Sequence, residues 1–181
     1  MADWRTTRAA IAADRGRLRA HLDAACPPDR RSPLRHLGFW AILLYRLSHY
    51  LHRKGLRLPA RLIWLCNICL TGADIDCATS VGAGTVITHP RAVIIYGQVG
   101  ENCTFMAQTG IGGLFKAVMA DIGAGKGRPV LADEVMLAPG ALVLGPVRVG
   151  RRVRIGPRII VTKDVPDDAQ VVHRRGWPMA A

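Results

Sequence analysis

Polar and apolar positions follow two rules along this chain, and the change falls near residue 71. Before it, apolar residues recur at helical intervals among Arg and Asp, which predicts a helix over Thr6–Ala25 that Cys26-Pro27-Pro28 ends. Ser32-Pro33 reads as cap and first turn of a second helix running to about Arg53, with Gly55 beyond it. Leu58-Pro59 opens a third, ending near Leu70. After Thr71, glycine becomes frequent and isolated aliphatics recur every six residues: Ile75, Val81, Ile87, Val93, Val99, Phe105 and Ile111, then Leu131, Leu137, Val143, Val149, Ile155 and Val161. Gly follows the aliphatic at Gly82, Gly100, Gly112, Gly150 and Gly156, where it is expected to supply backbone freedom.

A six-residue period fits neither an α-helix nor alternating strands; it is the hexapeptide repeat of a parallel β-helix, with three hexads closing a triangular coil. The expected fold is a left-handed parallel β-helix with an N-terminal α-helical region. The expected division is a helical part over 1–70, the β-helix over 71–168 and a tail over 169–181. The two series are 20 residues apart, 18 plus 2, so the register slips, and the Gly-rich segment 112–130 between them reads as a loop thrown out of the coil. The helices and the segment after Pro166 are available to cover the open ends.

The formal charge of +12 would suit nucleic acid, but the arginines are scattered and no basic stretch is interleaved with stacking aromatics. An anionic small molecule fits such a surface better, and no nucleic-acid partner is expected. Apolar runs of nine residues cannot span a bilayer. Arg46, Arg53, Lys54, Arg57 and Arg61 leave membrane-surface contact open, but helix packing is the preferred reading. The polar N-terminus argues against a signal peptide, and a cytoplasmic location is expected. Five irregularly spaced cysteines argue against a disulfide framework. Cys66 and Cys69 have knuckle spacing without a second pair, and are expected to be buried free thiols. His49 and His52, one helix turn apart, lack an accompanying carboxylate or thiol and read as inter-helix or surface residues; His21, His36 and His173 are weaker candidates still. A trio of coil histidines, as a metal-dependent β-helix enzyme needs, is missing, since only His89 lies in the hexads; no metal is expected.

Thr71-Gly72-Ala73-Asp74-Ile75-Asp76, Ile87-Thr88-His89-Pro90, Gly112-Gly113, Gly140-Ala141 with Leu144-Gly145-Pro146, and Val161-Thr162-Lys163-Asp164-Val165-Pro166 resemble the serine O-acetyltransferase family. Gly38-Phe39-Trp40-Ala41 and Tyr45-Arg46-Leu47-Ser48 resemble its short, polysaccharide-cluster-type members. The resemblance implies acetyl-CoA-dependent O-acetyl transfer to serine, in cysteine biosynthesis, at a cleft between two prisms of a homotrimer. It implies His89 as general base and Asp74 as the carboxylate that orients it. A serine-type hydroxyl is a poor nucleophile at neutral pH, and a neutral imidazole can take its proton during attack on a thioester. The resemblance further implies Asp76 and Arg128 near the acceptor, and Gly113, Gly140, Ala141, Arg158 and Lys163 near acetyl-CoA, with backbone amides holding the thioester oxygen.

The departures bear on the acceptor. Arg128 stands before Pro129 where serine-acetylating members carry a second His; its planar fork still suits a carboxylate or phosphate. The family's Gly-Glu-Thr reads Tyr96-Gly97-Gln98, and its terminal Pro-Ala-Arg motif is replaced by His173-Arg174-Arg175-Gly176-Trp177-Pro178. A sugar or other hydroxyl acceptor, and an inactive scaffold trimer, are the alternative readings.

Overall fold

The computed structural model describes residues 3–25, 27, 31–113 and 120–173. Cys26, Pro28, the central part of the expected loop and the tail from Arg174 therefore lie outside the described residues.

Three helices come first: α1 (Trp4–Ala25), α2 (Leu37–Arg53) and α3 (Arg57–Thr71). Ser32-Pro33 does not open α2 directly. Pro33–Arg35 forms a single 3-10 turn, and α2 starts beyond His36, whose Nδ1 accepts from the Gly38 N–H at 3.2 Å. α3 ends on Gly72 in the left-handed conformation, φ 78°, which glycine adopts without the cost a Cβ would add. α2 and α3 form a hairpin tied by Asn67 Nδ2 to the Ala41 carbonyl at 2.9 Å and Ser48 Oγ to the Ala60 carbonyl at 3.0 Å. No helix among the described residues is long and apolar enough to cross a membrane.

Fourteen short strands follow among the described residues, in three parallel sheets, and the chain winds as a left-handed parallel β-helix. The first face holds β1 (Asp74–Ile75), β4 (Ile94–Ile95), β7 (Gly110–Gly112), β10 (Leu142–Leu144) and β13 (Ile160–Val161). The second holds β2 (Ser80–Val81), β5 (Gln98–Val99), β8 (Val130–Leu131) and β11 (Arg148–Val149). The third holds β3 (Val86–Ile87), β6 (Thr104–Phe105), β9 (Met136–Leu137), β12 (Arg154–Ile155) and β14 (Gln170–Val171). Because β14 is a full member of the third sheet, the coil runs past the expected boundary at residue 168.

The inward column of each face is the hexad aliphatic, with one exception. On the first face Ile75 pairs with Ile95 and Ile95 with Ile111. Val93 is buried but sits at the preceding corner, displaced from the stack by a longer turn at His89–Ala92. The next turn, at Tyr96-Gly97, is correspondingly short. The expected slip of two is likewise better described by faces: Ile111 lies on the first and Leu131 on the second, so the loop adds fourteen residues to one hexad connection and the coil resumes in phase.

Glycine's role differs from expectation as well. Gly82, Gly100 and Gly150 are not among the residues with positive φ. They stack: a Cβ on Gly82 would lie 2.4 Å from the Gly100 carbonyl carbon, and one on Gly100 would lie 2.6 Å from that of Ala132. The left-handed corners are carried mostly by residues with side chains, Ala92, Asn102, Gln108, Glu134, Arg152, Arg158 and Asp168, with φ between 56° and 60°. Such a conformation costs about 1–2 kcal/mol. Each of these residues donates its N–H to the coil below, Asn102 to Ala83 and Glu134 to Glu101, both at 2.8 Å. The strained corner thus continues the hydrogen-bond ladder around the prism.

The helices join the first coil through buried polar groups. Arg46 meets Asp14 at 2.9 and 3.1 Å and donates to the carbonyls of Val81 and, at 2.7 Å, Gly82. Asp14 also accepts from the Thr85 N–H at 2.9 Å. Burial pushes the Asp14 carboxyl above its ordinary value, against the pull of Arg46. The Tyr45 hydroxyl, in the same layer, donates to Thr79 O at 2.7 Å and accepts from Val81 N at 3.1 Å. A Cβ on Gly38 would overlap the Ile87 carbonyl, so α2 rests directly on β3.

Arg46→Met strands a buried carboxylate and should cost about 3–5 kcal/mol in denaturant unfolding. Gly100→Ala should destabilise the coil by more than about 2 kcal/mol, whereas Gly16→Ala, in α1 with open space around it, should stabilise by about 0.5–1 kcal/mol in the same measurement.

Candidate active site

The outer side of the first face gathers the charged residues. The register sets Asp74 beside Ile94 and Ile75 beside Ile95, which puts Asp76 next to Tyr96. Both carboxylates are half-buried. Asp74 Oδ1 accepts from Trp64 Nε1 at 2.9 Å and from the Tyr96 hydroxyl at 3.0 Å, with Oδ2 at 3.2 Å from the same hydroxyl. Burial, and then the Asp74 carboxylate, push the Tyr96 phenol well above its ordinary value, so it stays a donor at any working pH. Arg128 donates to Asp76 Oδ2 at 3.3 Å, and its guanidinium carbon lies 5.7 Å from the Tyr96 ring centroid.

Arg128 arrives from the extruded loop. Asp121 Oδ1 accepts from the N–H groups of Gly123 at 2.8 Å and Gly125 at 3.1 Å; Gly127 N donates to Ala120 O at 2.8 Å, and Arg128 N to Gly125 O at 3.1 Å. Arg148 caps the turn on the Ile122 carbonyl at 2.8 Å. At the foot of the loop lies a hollow of about 430 Å³ lined by Tyr96, Gly112, Gly113, Lys126 and Arg128 over Ile94 and Leu142.

Asp74, Asp76, Arg128 and Gly113 therefore share one region. His89 does not join them by a hydrogen bond. It is exposed at the corner between β3 and β4, next to the buried Pro90, while its expected partner Asp74 bonds Trp64 and Tyr96. The coil ties the two segments only through the backbone: the Ala92 N–H, three residues after His89, donates to the carbonyl of Gly72, two residues before Asp74, at 2.9 Å. Gly140 and Ala141 do not offer free amides. Gly140 N donates to Ala107 O at 2.9 Å and Ala141 N to Ala138 O at 3.0 Å, so the expected hold on a thioester oxygen is not available from either. Arg158 and Lys163 are exposed at the two ends of β13.

Cys66 and Cys69 are exposed, not buried, because α3 buries only its Ala60, Asn67 and Thr71 side. His49 Nδ1 bonds Cys77 O at 2.9 Å and His52 Nδ1 lies 3.6 Å from Cys77 Sγ, both contacts between helix and coil. Among the described residues no group of three or more His, Cys, Asp or Glu could hold a metal ion. Sequence reasoning missed Trp64 and the role of Tyr96; the departure at Tyr96-Gly97-Gln98 was the available signal for the second, and nothing marked the first.

Hexads wound into a parallel β-helix, with a loop that returns Arg128 to the carboxylate of Asp76, give the architecture of the hexapeptide-repeat class. The chain is 34% identical over 166 residues to a serine acetyltransferase of Mycobacterium tuberculosis, covering 90% of this chain and 70% of that protein. It is 36% identical over 138 residues to a serine acetyltransferase of Synechococcus elongatus, covering 75% and 54%. The structure of soybean serine acetyltransferase complexed with serine superposes with a TM-score of 0.79 at 27% identity, covering 93% of this chain and 68% of that one. No family model matches the chain. The chain belongs to the serine acetyltransferase family, and spans from about half to seven-tenths of the length of these two relatives.

The loop geometry gives its own test. Asp121→Ala removes the two side-chain bonds within the turn, and amide exchange at Gly123 and Gly125 should quicken by about tenfold or more, as loss of hydrogen bonds to a charged group implies.

Proposed function

We propose that this protein transfers the acetyl group of acetyl-CoA to the hydroxyl of L-serine, giving O-acetylserine and the free thiol. The observation that carries the choice of acceptor is the charge arrangement at the foot of the loop. Asp76 faces Arg128 there, Asp74 is joined to the pair through Tyr96, and Lys126 stands on the rim of the hollow. An amino acid is a zwitterion, and this site presents both complements: the guanidinium fork for its carboxylate and a carboxylate for its ammonium. The replacement of the family's second His by Arg is compatible with that reading, because Asp76 accompanies the new charge.

His89 acts as general base in this reading. Its imidazole takes the hydroxyl proton as the serine oxygen attacks the thioester carbon; the carbon–sulfur bond breaks, and the same proton passes to the departing thiolate. Asp74 Oδ2, the less occupied of its two oxygens, orients the ring and stabilises the imidazolium. The pair closes on substrate binding, as catalytic hydrogen bonds long in the free enzyme do. Arg158 and Lys163 suit the phosphates of acetyl-CoA, Gly113 lies beside its thioester end, and Gly140 and Ala141 contribute shape. The assembly is a homotrimer with the site between prisms, and the location is the cytoplasm.

The test is thiol release from acetyl-CoA, followed with a chromogenic thiol reagent, for wild type and His89→Ala. Acceptors are L-serine, D-serine, homoserine and a panel of sugars. Turnover with L-serine that drops by roughly 10²–10⁴-fold in the variant is expected. Turnover with a sugar alone moves the acceptor to a hydroxyl of another class. Absence of turnover with every acceptor, together with no acetyl-CoA binding by calorimetry, overturns the enzymatic reading and leaves a scaffold.

A further inference from the structure

We infer that Tyr96 is a two-handed positioning residue, whose hydroxyl sets the Asp74 carboxylate and whose ring seats Arg128. The inference rests on the assignment of His89, Asp74 and Arg128 just given.

Three features carry it. The first is the register. The long corner at His89–Ala92 puts Ile95 rather than Val93 in the inward stack. With Val93 stacked, Ile94 would lie beside Asp76; the shift of two brings Tyr96 there instead. The second is what each part of Tyr96 touches. Its hydroxyl reaches both oxygens of Asp74, at 3.0 and 3.2 Å, and its ring lies 5.7 Å from the Arg128 guanidinium carbon. The third is how these contacts divide the carboxylate. Trp64 Nε1 and Tyr96 together fill Oδ1, leaving Oδ2 with a single long contact. A carboxylate pinned through one oxygen presents the other in a fixed direction, which is what an imidazole partner needs. The cation–ring contact does the equivalent for Arg128, whose long side chain otherwise has, among the described residues, one bond, to Asp76 at 3.3 Å.

The two hands separate by mutation. Tyr96→Phe removes the hydroxyl and keeps the ring. It should lower kcat with L-serine by about ten- to a hundredfold, the range for a hydrogen bond to a charged group, and leave KM and the calorimetric affinity for L-serine within about twofold. Tyr96→Leu removes both. It should show the same kcat loss and, in addition, weaken L-serine by about three- to tenfold, the scale of a cation–π contact. In an Asp74→Asn background Tyr96→Phe should have almost no further effect, because the hydroxyl acts through that carboxylate. A residue that only supports the coil would lower kcat and affinity together, and its effect would add to that of Asp74→Asn; either result overturns the inference, as does Tyr96→Phe at wild-type rate. Thermal melting of each variant identifies any that fails to fold, and Tyr96→Phe, which keeps the ring, serves if Tyr96→Leu does not. Wild type that neither binds nor acetylates L-serine overturns the underlying assignment and this inference with it, whereas active wild type with an unaffected Tyr96→Phe overturns the inference alone.

Discussion

Arg46 is the side chain on which the two halves of the molecule meet. One guanidinium, buried beneath α2, bonds a carboxylate from α1 and two carbonyls from the first coil. An unpaired charge at that depth would be prohibitive, so the three elements must come together or not at all. The first coil of a β-helix has no coil below it, and its polar groups would otherwise face water or an apolar cap. Arg46, Asp14 and the Tyr45 hydroxyl fill that role, and Arg17 extends it by donating to the carbonyls of Gly84 and Cys103. The helical region is therefore the end cap that starts the prism rather than an appendage to it.

Above that cap, each coil depends on the one beneath through a narrow set of constraints. Glycines follow the inward aliphatic where the next coil's backbone would meet a Cβ, and the left-handed corners are held by bonds to the coil below. A solenoid so built tolerates an insertion at a corner, because the hexads on either side still find their faces. The extruded loop uses this tolerance, and its turn is organised by Asp121 before it returns Arg128 to the first face.

The site takes its character from the same rule of stacking. Residues flanking an inward aliphatic point outward, so successive coils set their side chains side by side. Asp74, Asp76 and Tyr96 meet that way, Trp64 reaches them from α3, and Arg128 comes from the loop. The residues that differ from the pattern of the serine acetyltransferase family to which the chain belongs, Tyr96 and Arg128, are here in contact with each other.

The sequence by itself determined the repeat, the three helices, the family and most of the candidate residues. Hexads are legible because inward positions of a β-helix must be aliphatic at a fixed period, and the period survives without knowledge of the coil. Other features were decided only by the tertiary structure, because each depends on what lies one coil away and not on what lies next in the chain. Val93 and Ile95 are both buried, and only the pairing of coils says which one stacks. At Gly82, Gly100 and Gly150, glycine after the aliphatic reads as conformational freedom in one dimension and proves to be close approach in three. The amides of Gly140 and Ala141 look available in a glycine-containing turn, and are spent on Ala107 and Ala138. Cys66 and Cys69 lie in an apolar run, yet they face outward because the hairpin covers one side of α3. Trp64 carries no local signal at all; its indole acquires a role only when α3 lies down beside β1.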